Sequence, residues 1–112
     1  MKIINIREHM GMFISEHAKK QAESRSIPRS TFWAAEREAR RTGLKEKMIL
    51  QHQKLSRMLT DIKIPLKIGE SLYRASKTEI TTRLIVGGVT FAVGIRKCRD
   101  DYSPLTCLTD WR

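Results

Sequence analysis

Arginine stands at positions 29, 37, 40 and 41 of the stretch PRSTFWAAEREARR, with the hydroxyls of Ser30 and Thr31 and the indole of Trp33 between them. Further along, Lys63, Lys67, Arg83, Arg96, Lys97 and Arg99 form a second run of cations. A guanidinium presents five donors in a planar fork that matches phosphate, and clustered Lys and Arg are rewarded by the counterions a polyanion releases. The chain of 112 residues carries 22 basic against 12 acidic side chains, a net charge of +10. The excess has two centres, nine basic to five acidic over 1–43 and eight to two over 62–99, while 100–112 is acidic. A polyanionic partner is the expectation; a basic surface that only aids solubility is the alternative.

Other chemistry finds no constellation. VGGV lacks the Lys-Ser/Thr that follows a phosphate-binding glycine loop, and Glu36 and Glu38 have no partnered histidine. Asp100-Asp101 reads as an exposed acidic turn. Cys98 and Cys107 are spaced C-x8-C, which fits no zinc pattern, and His9, His17 and His52 lie far upstream. No enzyme activity, no cofactor and no metal are expected, and both thiols are expected free. No apolar run has the length of a membrane span, and MKIINIREHM lacks a secretory h-region, so a cytoplasmic protein is expected.

The elements that must position these residues change character near residue 61. Up to that point the periodicity is helical. Phe13, Ile14, Ala18 and Ala22 form a narrow stripe, and SIPRS interrupts it, since Pro28 disfavours helix at Ile27 and suits the first turn of a new helix. That helix runs to Gly43 as its C-cap. LKEKMILQHQKLSRMLTDI then sets Leu44, Met48, Leu55, Met58, Leu59 and Ile62 along one stripe, able to pack within the chain or on a second copy. After Asp61 the period becomes two. Ile62, Ile64, Leu66 and Ile68 alternate with Lys63 and Lys67 in an edge strand marked by Pro65. TTRLIVGGVTFAVGI reads as a hairpin turning at Gly87-Gly88, with Val86 opposite Val89, Leu84 opposite Phe91, Thr82 opposite Val93 and Ile80 opposite Ile95. GESLYRASKTE reads as a loop or short helix.

Residues 18–41 resemble the helix-turn-helix superfamily of bacterial and phage DNA-binding proteins. Ala22 takes the small-residue position, Ser26 stands at the turn where glycine is usual, Ile27 is the apolar plug, and Phe32 and Ala35 anchor the second helix. Gln21 and Arg25 occupy positions that are usually apolar. The resemblance implies a recognition surface of Arg29, Ser30, Trp33 and Arg37, with Ser30 or Thr31 on phosphate or base and Arg40 and Arg41 near the backbone. The other reading makes SIPRST a helix start, EREARR a solvated face, and Phe32 and Trp33 core. Lys63, Lys67 and Arg83 are expected to add phosphate contacts in the manner of a wing, or to be a solvated sheet face.

The expectation is an α+β chain: a helix-turn-helix region over 1–43, an amphipathic connecting helix over 44–61, and a small antiparallel β-lobe over 62–112. Its function would be that of a small regulator of bacterial or phage type that reads duplex DNA through the helix starting at Pro28, with a homodimer through 44–62 possible. The alternative is an inhibitor or adaptor that docks on an acidic host protein through the apolar residues of 44–62 and YSPLTCLTDW.

Overall fold

Ser15 opens the first helix. Its Oγ accepts the Ala18 N–H at 3.1 Å, and α1 runs Glu16–Ser24 in the computed structural model, which describes residues 12–108. The helix closes with the Ile27 N–H donating to the Ala22 carbonyl at 2.9 Å and the Ser26 N–H to that of Glu23 at 3.3 Å. This is a Schellman ending, and it needs one left-handed residue. That residue is Ser26, at φ +56. Its Cβ makes the conformation cost roughly 1–2 kcal/mol that glycine would avoid. Pro28 follows in extended backbone, so it precedes α2 (Arg29–Thr42) rather than forming its first helical residue. Gly43 ends α2, and α3 begins at once, Leu44–Leu55.

Phe32, Ala35 and Ala39 form the inward stripe of α2, and Met48, His52 and Leu55 that of α3. The stripe expected to continue through Met58 and Ile62 ends with the helix at Leu55. Beyond it Leu59 is buried, whereas Met58 and Ile62 are exposed.

The strands are β1 (Met12–Ile14), β2 (Ile64–Ile68), β3 (Ser71–Ala75), β4 (Glu79–Val86), β5 (Val89–Cys98), β6 (Asp101–Tyr102) and β7 (Leu105–Cys107). They form one sheet in the order β1-β7-β5-β4-β3-β2, with β6 on the end of β5. Every pairing is antiparallel except β1 with β7. The sheet is therefore mixed, not purely antiparallel. Phe13 and Ile14, expected in a helix, lie in β1 instead; three residues show no period, and their partner is Leu105–Cys107. GESLYRASKTE, expected as a loop or short helix, contains β3. Its backbone groups are satisfied by β2 on one side and β4 on the other. Strand β2 is an edge, as its proline suggests.

In β4 and β5, Val86 pairs with Val89 across Gly87 and Gly88, both at positive φ, and Leu84, Thr82 and Ile80 pair with Phe91, Val93 and Ile95. These residues face inward with Tyr73 and Ala75, and α2 and α3 cover them. Phe32 of α2 meets Phe91 with ring centroids 5.3 Å apart and planes tilted 53°. Leu105 and Cys107 are buried in the same core, while Trp111 lies outside the described residues. Among the described residues, no helix is long and apolar enough to cross a membrane.

Candidate nucleic-acid interface

Burying Phe32, Ala35 and Ala39 fixes what the rest of α2 presents. Arg29, Ser30, Arg37, Arg40 and Arg41 are exposed, and Trp33 is 56% exposed. Thr31 is half-buried. The core reading of Trp33 is thus corrected: positions 32 and 33 lie about 100° apart on a helix, and only Phe32 turns inward. Arg29, Trp33, Arg37 and Arg40 follow one another along a single stripe.

The arginines of α2 differ in their neighbours. Glu38 accepts two bonds from Arg41, 3.1 Å from Nε and 2.7 Å from Nη2. The hydrogen bond holds the Glu38 carboxyl below its ordinary range and raises Arg41. Arg40 lies 3.6 Å from Glu36, whose carboxylate also accepts the Met12 N–H at 3.2 Å. Among the described residues, Arg29 and Arg37 make no ion pair. The first turn of α2 contains no acidic side chain and no side-chain cap.

Two hollows flank α2. One, about 770 Å³, is lined by Ala34, Arg37, Glu38, Arg40 and Arg41 together with Ile85 and Val86 from the hairpin end. The other, about 440 Å³, lies by Ile14, Lys19, Ile27, Arg29, Phe32 and Trp33. α2 packs chiefly on α3 and β4, and Ala18 and Ala22 of α1 are buried in the same core as Phe32. Ala18 and Ala22 border a small void of about 30 Å³ with Ile27, Phe32, Phe91 and Cys107.

Lys63, Lys67 and Arg83 lie elsewhere. Inward residues of β2–β5 are the even positions of β4 and the odd positions of β3 and β5, so Lys67, Arg74, Arg83 and Arg96 point away from the helices. Lys63 joins them through Glu79, which lies 3.2 Å from Lys63 and 3.0 Å from Arg96. Burial alone would raise the Glu79 carboxyl, but the Arg96 hydrogen bond and the two cations outweigh it and hold it low. The structure therefore does not bring the expected phosphate-contacting residues of the β-lobe together with those of α2; they occupy opposite sides of the sheet. Arg74 was missed because its segment showed no strand pattern of its own; its cross-strand neighbours are Pro65 and Thr81.

No family model, curated protein or solved structure matches the chain. Geometry alone must speak for the site. Two remaining groups have structural settings. His52, 2% exposed, has Nε2 at 2.8 Å from the Ser76 carbonyl, so that nitrogen donates. In neutral His52, Nδ1 then accepts from the Tyr102 hydroxyl at 2.6 Å, joining α3 to β6. Burial raises the Tyr102 phenol, and Lys97 lies over its ring at 5.2 Å. Cys98 is exposed, whereas Cys107 is buried and its thiol is pushed up to about 12. Among the described residues no group of potential metal ligands gathers.

Proposed function

We propose that this chain binds duplex DNA and acts by occupancy as a small regulator, with α2 laid in the major groove. The observation that carries this reading is the two-sided character of α2. Phe32, Ala35 and Ala39 seat it on the sheet, while Arg29, Ser30, Trp33 and Arg37 face solvent, two of them cations with no ion pair among the described residues. Support also comes from the α1–turn–α2 order and from a first helical turn without acidic side chains, whose dipole favours a phosphate. Arg40 and Arg41, farther along, suit backbone phosphates once they leave Glu36 and Glu38.

The test is selection from random duplexes followed by a salt titration. Arg29→Ala is expected to lower affinity for the preferred site by about 1–3 kcal/mol and to blur its sequence preference. Binding that ignores salt, or an Arg29→Ala protein that keeps the parent's affinity and preference, would overturn the reading.

A second reading, docking on an acidic protein or on a second copy, has one observation in its favour. Leu50, Met58 and Ile62 are 50, 59 and 72% exposed on α3 and the segment after it, apolar side chains that a partner could cover. A single acidic protein captured at physiological salt, with duplex DNA ignored, would favour it.

A further inference from the structure

The face of the sheet turned away from the helices is basic in its own right. Lys63, Lys67, Arg74, Arg83 and Arg96 lie on it, and Glu79 pairs with two of them, Lys63 and Arg96. Pairing registers place them on a lattice. Lys67 is opposite Leu72 on β3, which neighbours Arg83 on β4; Arg74 is one same-face step along β3. Adjacent strands are about 4.8 Å apart and same-face residues along a strand about 6.8 Å apart, so these cations are spread over a surface rather than gathered into a pocket. Among the described residues, Thr81 and the half-buried Leu72 lie between them, and the one aromatic ring on this face is that of Phe13 in β1, half-buried at the far edge of the sheet. A face of this kind can pair with a row of phosphates, and among the described residues it offers no exposed ring on which to stack unpaired bases.

Its position matters as much as its charge. The α2 surface and this face look in opposite directions across the sheet. Duplex DNA is stiff over about 150 base pairs, so one short segment does not turn round a domain this small to meet both. We propose that the outer sheet face is a second site for the backbone of duplex DNA, so that one molecule holds two duplex segments at once, one at α2 and one across β2–β5. This rests on the reading of α2 as a DNA-binding element. The outer site would be indifferent to sequence, since it offers phosphates a flat array of cations and enters no groove.

The experiment uses the full chain and two short random-sequence duplexes, one fixed to beads and one fluorescent. Bead capture of the fluorescent duplex reports bridging, and anisotropy of the fluorescent duplex alone reports simple binding. Wild type is expected to give capture that falls with salt. Lys67→Glu/Arg83→Glu is expected to lose capture by about tenfold or more while simple binding weakens by no more than about threefold. Lys67→Gln alters one exposed side chain with no ion pair among the described residues, and is expected to reduce capture about twofold with the fold undisturbed. Capture undiminished in both variants would overturn the proposal. So would a wild type that binds one duplex and captures no second, an outcome that leaves the α2 reading standing. A wild type that binds neither would overturn both.

Discussion

On α2, the carboxylates beside the arginines belong to the same helix: Glu36 faces Arg40 one turn on, and Glu38 faces Arg41. On the outer face of the sheet one carboxylate, that of Glu79 in β4, serves both Lys63 beside β2 and Arg96 of β5. The first arrangement is local and mostly exposed, and solvent screens pairs of that kind so that they contribute little to stability. They can open toward a phosphate with little effect on the fold. The second draws together separate strands around a half-buried acid. Charges on α2 are thus adjustable, whereas those around Glu79 are part of how the sheet is held. Equal numbers of cations do not make equal surfaces.

That contrast is broken most severely at the joint between the two layers. Phe91 contacts Phe32 and is buried. Phe91→Ala is expected to cost about 3–5 kcal/mol in urea denaturation, unseating α2 from the sheet. A loss under about 1 kcal/mol would mean the helix is held by something else.

A smaller change sharpens the helical side. Ser26 takes a left-handed conformation in which glycine has no penalty. Ser26→Gly is expected to raise stability by about 1 kcal/mol, seen as a higher melting midpoint. A lower midpoint would count against the Schellman ending of α1.

The smallest effect belongs to Glu79. Its carboxyl is held low, so its contribution is complete above the unfolded value near 4.3 and fades as the pH falls through the folded value. Wild type is expected to exceed Glu79→Gln by less than about 1 kcal/mol at neutral pH, with the gap closing in acid. Chemical denaturation across that range checks the sign, and a gap that widened in acid would contradict it.

The legibility of the two surfaces follows from the same difference. The arginines of α2, its inward Phe32 and Ala35, and the stop at Gly43 are consecutive features, so periodicity and capping rules reach them. The pairing of β4 with β5 coincides with the alternation in TTRLIVGGVTFAVGI because both strands and their turn sit within one short stretch. Local patterns did not reach β1 or β3. Met12–Ile14 is too short to show a period, and in SLYRA the outward position holds Leu72, which hides the alternation. Arg74 was missed with its strand. The opposition of Lys63, Lys67 and Arg83 to α2 was invisible for a further reason: it depends on which side of the sheet the helices cover. His52 carries no sequence sign of its role, since Tyr102 and Ser76 are its partners only in space.

The parallel seam of β1 with β7 sets an order in time. Met12 pairs with Leu105, while Val86 and Val89 are joined by two residues. In equilibrium terms the long closure is mild, because each doubling of a loop adds only about 0.6 kcal/mol. Kinetically the two pairings are far apart. As the chain is synthesised from its N-terminus, Met12–Ile14 is complete long before its partner strand exists. Until Leu105–Cys107 emerges, that edge has nowhere native to go. The hairpin, α2 and α3 can all be in place by then, so the seam joins a molecule that is otherwise already arranged.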